Sequence, residues 1–498
     1  MPITPKSLSP LILFILLTLT LTGCSDGNDV SEKTTETVED APPVLPKNPI
    51  CSDCHPHVLD ANHAFECTTC HKGESPAKSN DSAHTNLIAK PGHPDVMMQT
   101  CGKCHKDQVQ RSHASLHFTS RNEVNTVRRA FGATEDLARA TDIPIHNRIE
   151  SPLDLADDML RRRCLQCHIR YDGEYEETLR GTGCAACHLD FRDTSMTSHA
   201  FLAKPADNEC LHCHNSNFVG ADYYGRYDHD LHWDYRTPYG KDGSDAPRPY
   251  GVNTHQFSTD IHQQAGLKCT DCHPGSTLMN PKPSTIICND CHEYNGTAKG
   301  LNIKIKAGTP TLSLASKDLS IPQLHHPAHK KYKDKADCTV CHAVWSFSDQ
   351  GTHLFRQDAE EYDDWEAINV QGSYEVEHEI FVNINQDGYP YPFMSDKLTG
   401  QNYYGLWHKG FELRRWEFPI TCKDAKGKLH ICRPILNLNL TWVNDEEELI
   451  FDNAKPNRAP AKGLVPYTPH TIGKAGAFYK QRLKINIKLL DYPLNLEK

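Results

Sequence analysis

The sequence predicts a mostly irregular chain of short α-helices, followed by a smaller β-rich domain at the C-terminus. Three observations lead there. The pattern Cys-x-x-Cys-His occurs nine times, always before residue 343. For 498 residues the chain is poor in apolar side chains, at 38% hydrophobic with a mean hydropathy of −0.61. From residue 354 onward the pattern stops and short alternating apolar runs take over.

Each motif is an attachment pattern for a c-type haem. Two thiols three residues apart can form thioethers to the two vinyl groups of one porphyrin, and the adjoining histidine can reach the iron. In chain order, motifs 1 to 9 offer the thiol pairs Cys51/Cys54, Cys67/Cys70, Cys101/Cys104, Cys164/Cys167, Cys184/Cys187, Cys210/Cys213, Cys269/Cys272, Cys288/Cys291 and Cys338/Cys341. Their proximal histidines are His55, His71, His105, His168, His188, His214, His273, His292 and His342. These motifs use 18 of the 21 cysteines. Cys51/Cys54 with Cys67/Cys70 approach zinc-ribbon spacing, but zinc does not require a histidine after every pair. A thioredoxin-like dithiol needs a βαβ setting, and a disulfide framework would not demand the histidines.

The motif region allows about 32 residues per motif, too few for an ordinary core at this hydropathy, so the porphyrins themselves must supply much of the interior. The expected fold is therefore short helices and irregular segments wrapped round nine c-type haems over residues 49–353. A haem closed by two protein ligands passes electrons, whereas an open sixth position can bind substrate. Of the 30 histidines, 21 lie outside the proximal positions, against seven methionines in all. Bis-histidine ligation is the expected rule. The candidate distal ligands are His63, His84, His113, His117, His199, His255, His262, His326 and His329, with His353 a further candidate at the end of the region. The segment Asp222–Trp233, rich in tyrosine and histidine, reads as aromatic packing on porphyrin faces, with a substrate pocket as the competing reading.

The N-terminus predicts export. Lys6 precedes an apolar run, Leu11 to Leu21, of signal-peptide length and too short to span a bilayer. It ends in Leu21-Thr22-Gly23-Cys24, which resembles a bacterial lipoprotein signal: residues 1–23 would be removed and Cys24 lipidated. Ser25 in the next position favours the outer membrane, on its periplasmic or cell-surface face. Residues 24–48 carry six acidic residues and three prolines, the composition of a solvated tether.

Residues 51–353 resemble the large multihaem cytochromes of anaerobic bacterial respiration, the group with octahaem tetrathionate-reductase-like and hydroxylamine-oxidoreductase-like proteins. The phrases that carry the resemblance are Arg180 to His188, Asp260-Ile261-His262 leading to Gly266-Leu267-Lys268-Cys269, and Cys338 to Trp345. It implies electron transfer at or near the outer membrane, with redox proteins of a respiratory chain, or an outer-membrane porin–cytochrome complex, as partners.

Residues 354–498 predict a haem-free β-rich domain, with strands over Tyr374–Asn383, Leu436–Val443, Leu449–Phe451 and Leu483–Leu489. Cys422 and Cys432 flank a turn-like segment and are expected to form a disulfide in an oxidising compartment. The acidic runs Asp358–Asp364 and Asp445–Glu448 read as solvated surface, with calcium binding as a minor reading. The net charge of −11 argues against nucleic acid and suits a basic redox partner. Two functions emerge: a lipid-anchored electron carrier, which the motif histidines favour, and an oxidoreductase acting on a small nitrogen or sulfur compound at one open haem.

Overall fold

The sequence dictates one recurring local structure. In motifs 1, 2, 3, 5, 6 and 7 the histidine N–H bonds the carbonyl of the first cysteine, four residues back, at 2.8–3.0 Å. A single helical turn therefore brings both thiols and the imidazole together. Three motifs carry their own cap. Asp53, Asp271 and Asp290 each accept the backbone N–H of the residue before the first cysteine, at 2.8–2.9 Å. This explains the aspartate in Cys-Ser-Asp-Cys, Cys-Thr-Asp-Cys and Cys-Asn-Asp-Cys. Motif 4 departs from the pattern: its turn is a 3-10 helix, Cys164–Cys167, and His168 N–H bonds Leu165 instead.

The computed structural model describes residues 49–484, apart from 174, 193–194, 217–219, 229–248, 253, 282–285, 298–300, 315, 348–351, 363–373, 386–390, 410–415, 418, 457–462 and 477–478. The expected signal segment, Cys24 and the tether up to residue 48 lie outside them, as do His229, His232 and residues 485–489. The described residues belong to one compact unit, Lys47–Lys498. No described helix is long and apolar enough to cross a membrane.

Between motifs the chain forms short antiparallel ribbons, including Asp190–Arg192 with Ser195–Ser198 and a three-stranded sheet over residues 303–320. Two longer helices stand apart from these. Helix α1 (Arg121–Ala130) packs against α2 (Pro152–Arg162). Ser151 caps α2 with a reciprocal bond to Asp154, Pro152 takes its first position, and the helix runs directly into motif 4.

The C-terminal part is built on a four-stranded sheet. Strand β1 (Thr352–Gln357) lies between β2 (Leu406–Lys409), antiparallel, and β3 (Leu438–Val443), parallel; β3 then pairs with β4 (Leu449–Ala454). The boundary expected at 353/354 falls inside β1. Leu354, Leu406, Trp407 and Leu440 of this sheet join Val124, Leu155, Met159 and Leu165 in one apolar cluster. Residues 374–383, expected as a strand, form the helix α3 (Tyr374–Ile384) instead. The period-two alternation of Tyr374, Val376, Ile380 and Val382 misleads there. Buried Glu379, Ile380 and Asn383 share a helical face, and Asn383 is fixed by bonds with Phe393 at 2.7 and 2.9 Å. Leu483 follows a short helix, Tyr479–Arg482. A disulfide joins Cys422 to Cys432 across the hairpin Thr421–Lys423 with Leu429–Pro434, with Cα atoms 6.0 Å apart.

Buried charge reinforces this junction. Arg161 of α2 bonds Asp396 at 2.5 Å, both side chains being almost fully buried, and donates to the Ile143 carbonyl at 2.7 Å. Removing one partner of such a pair leaves an uncompensated charge. Asp396→Ala is expected to lower stability by about 3–5 kcal/mol, read by denaturant unfolding, whereas a volume-matched apolar replacement of both residues restores most of it.

Candidate metal-binding sites

The motif histidines have partners. An imidazole nitrogen lies about 2.0–2.1 Å from a bound metal ion and about 1.1 Å from its own ring centre. Two imidazoles on opposite sides of one ion should therefore have centres about 6.3 Å apart. Seven motif histidines face a non-motif histidine at this spacing. The pairs are His55–His84 at 6.2 Å, His71–His199 at 6.0 Å, His105–His63 at 6.1 Å, His214–His117 at 6.4 Å, His273–His470 at 6.3 Å, His292–His262 at 6.1 Å and His342–His329 at 6.1 Å.

Several of the outer ring nitrogens are also committed, whereas Nδ1 of His199 and of His329 is buried without a hydrogen-bond partner. His71, His84, His188, His292 and His342 use Nδ1 to bond the carbonyls of Ile88, Asn80, Leu202, Pro322 and Gly473, at 2.7–3.0 Å. His63 bonds Asp60 at 2.9 Å and His262 bonds Asp260 at 2.8 Å through the same atom. The bond to His63 is the chief reason the Asp60 carboxyl is lowered to about 2. An imidazole that donates from Nδ1 presents the lone pair of Nε2, the arrangement seen in metal-ligating histidines.

The remaining candidates lie elsewhere. His113 sits beside Phe118 and His255 beside Phe257, each at 6.2 Å between ring centres. His326 caps the helix Pro327–Tyr332 by accepting from Ala328 N–H at 3.2 Å. His353 bonds Thr441 Oγ1 at 2.8 Å within the C-terminal sheet. Sequence reasoning missed His470, since it lies far beyond the last motif in a region read as haem-free. Motif 4 again differs: His168 is buried, and its pKa is lowered to about 4, first by burial and then by Arg170, Arg180 and His93. Of the Asp222–Trp233 segment, Tyr223 bonds the Leu267 carbonyl at 2.7 Å, and Tyr227 packs among Phe257, Trp345 and Phe347.

Successive motifs touch. The Cys51 thiol meets Cys67, and Cys70 lies beside Cys101 and Cys104. Cys101 meets Cys184, Cys187 lies beside Cys210 and Cys213, and Cys210 meets Cys269. Cys272 lies beside Cys291, and Cys288 meets Cys338. Backbone and side-chain bonds support the same neighbours, among them Cys269 N–H to Asp207 at 3.0 Å and Lys103 Nζ to the Thr69 carbonyl at 3.2 Å. Thiol contacts thus join motif 1 to 2, 3 to 5, 6 to 7 and 8 to 9, the Lys103–Thr69 bond joins 2 to 3, and the helical turns of motifs 5 and 6 pack together. Motif 4 joins from the side, its Cys167 meeting Cys213 of motif 6.

The surroundings fit a flat apolar group. None of the 18 motif cysteines forms a disulfide, while Cys422 and Cys432 are joined by one. The protein's own side chains leave several of those thiols exposed. Cys54 is the plainest case: it is exposed, as are Ser52, Asp53 and His55 around it. Cys104, Cys164, Cys288 and Cys338 are exposed as well. The reason is geometric, since a single helical turn cannot cover its own side chains, and motif 1 has no buried residue. Large apolar side chains beside the motifs also lie open to solvent, including Ile50, Val58, Phe65, Met98, Ile261 and Ile287. Such a lining is what porphyrin faces would cover. Among the described residues no group of three or more His, Cys, Asp or Glu is arranged to hold a metal ion. The acidic residue Asp358 is instead bonded by Arg356 and Trp442, at 2.8–3.0 Å. Comparison with protein families, curated proteins and solved structures finds no match.

If the paired histidines are axial ligands, replacing His84, His63 or His117 with alanine should each convert one low-spin iron to high spin, while His326→Ala should convert none. Electron paramagnetic resonance of the oxidised protein counts them.

Proposed function

We propose that this chain binds nine c-type haems and serves as an electron-transfer protein. The observation that carries the reading is the set of seven imidazole pairs at metal-spanning separation, each joining a motif histidine to one outside the motifs. Haem bound at such sites would supply one-electron chemistry, and a motif histidine with its partner would hold it without leaving a position for substrate. The protein's own part is to bind, orient and space. The cysteine pairs would anchor the group, the paired histidines would hold its iron, and the Nδ1 bonds of His63, His71, His84, His262, His292 and His342 hold those rings in one tautomer and orientation. The neighbourhood of successive motifs supports a relay in the order 1, 2, 3, 5, 6, 7, 8, 9, with motif 4 as a side branch.

The wider role follows from the sequence. Cys24 as a lipid anchor and residues 24–48 as a tether would place the relay at the outer membrane. Its partners would be redox proteins of a respiratory chain or a porin–cytochrome complex, met through complementary charge. A second reading, an oxidoreductase acting on a small nitrogen or sulfur compound, draws support at motif 4. There His168 Nε2 is buried without a hydrogen-bond partner, and Arg170 and Arg180 stand close by.

Two measurements test this. After denaturation and reduction the mature holoprotein should yield two alkylatable thiols, Cys422 and Cys432, because thioethers and lipidation block the rest; eighteen further reactive thiols would refute haem attachment. Optical and paramagnetic resonance spectra recorded with and without nitrite or hydroxylamine should show low-spin iron that added ligand does not move. A high-spin signal that shifts would make the oxidoreductase reading the leading one.

A further inference from the structure

One buried carboxylate stands between two of the histidine pairs. Asp260 is 2% exposed. Its Oδ1 accepts both the backbone N–H and the Nδ1–H of His262, each at 2.8 Å. Its Oδ2 accepts the backbone N–H of Ile472 at 2.7 Å. The first pair of bonds fixes the ring facing His292 of motif 8. The second holds the segment that presents His470 to His273 of motif 7.

That segment, residues 470–473, is held at each residue. His470 N–H donates to Asp222 Oδ2 at 2.9 Å, and the same carboxylate lies 3.5 Å from His470 Nδ1. Ile261 N–H donates to the Ile472 carbonyl at 2.8 Å. Val344 N–H bonds the Thr471 carbonyl, and Gly473 N–H bonds the His342 carbonyl, both at 2.9 Å. Finally, the Gly473 carbonyl accepts from His342 Nδ1 at 2.9 Å, so the segment also orients the proximal histidine of motif 9.

Resting on the haem-ligand reading above, we infer that Asp260 is a positioning residue shared by two neighbouring haem sites: it orients His262 directly and His470 through Ile472. An ionised carboxylate is costly to bury unless several donors satisfy it, and here the donors are the ligand and the two backbone groups that carry the ligands. Because both bonds share one carboxylate, a change at Asp260 itself is felt at both sites. A carboxylate behind an imidazole also makes that ring a stronger donor to a metal than a carbonyl does. The site at motif 8 should therefore hold its iron at a lower potential than the carbonyl-backed site at motif 1. The C-terminal region, read from sequence as haem-free, supplies one ligand and the support of two more.

The test uses the full-length holoprotein. His262→Ala and His470→Ala should each convert one low-spin iron to high spin, which assigns the two sets of resonances. Asp260→Asn keeps the side-chain volume and an acceptor. It should retain all nine haems by mass, shift the g-values of both assigned irons, and raise the midpoint potential of the motif 8 iron. Ile472→Pro, which removes the N–H donor and leaves the carboxylate, should disturb the motif 7 resonances and spare those of motif 8. If the two histidine variants leave the low-spin count unchanged, the ligand reading itself fails. If they each remove one low-spin iron while Asp260→Asn and Ile472→Pro titrate and resonate as the unmodified protein, ligation stands and the role of Asp260 is overturned. Should Asp260→Asn fail to accumulate, Ile472→Pro alone decides the link between Asp260 and the tail.

Discussion

On the haem-ligand reading proposed above, the spacing of two imidazoles across a metal ion is the constraint on which the rest of this structure depends. A proximal histidine is fixed by its own motif, but its opposite number must arrive from another part of the chain within a few tenths of an ångström. Seven such arrivals, at 6.0–6.4 Å, tie segments together that a chain of this composition has few other means to join. His199 reaches back to His71, His117 reaches forward to His214, and His470 returns from near the C-terminus to His273. Between these ties the backbone needs little regular structure, and it uses single helical turns, ribbons and irregular segments. The most extensive apolar cluster among the described residues lies where α1 and α2 meet the C-terminal sheet, and smaller ones lie beside motifs 8 and 9.

Much of this is legible in the residues because it is local. The five-residue motif specifies both its chemistry and its helical turn, and an aspartate in its third position caps that turn. Distal histidines such as His63, His84, His262 and His329 lie close in sequence to a motif, and six of the nine candidates stand at metal-spanning distance from a proximal histidine. His470 was not legible, because nothing in a lone histidine among Tyr467, Thr468 and Pro469 announces a contact with His273. The order of the motifs in space was hidden for the same reason. Cys101 and Cys338 are isolated in sequence yet meet Cys184 and Cys288. Helix α3 was misread because its apolar residues satisfy a period of two, while burial follows Glu379, Ile380 and Asn383 on a helical face.

The C-terminal region gains a purpose from this arrangement. Its sheet is anchored to α2 by apolar packing and by Arg161 and Asp396. That anchor places a return segment, residues 470–473, against motifs 7 and 9. Motif 4 follows α2 directly and has a different turn, and its Leu165 belongs to the apolar cluster that includes the C-terminal sheet.

The most direct test of the central claim is near-infrared magnetic circular dichroism of the oxidised holoprotein, which distinguishes bis-histidine iron from histidine–methionine and high-spin iron. The account predicts bis-histidine bands with the intensity of at least seven irons per chain, matching the seven imidazole pairs. Spectra dominated by histidine–methionine or high-spin iron would contradict it.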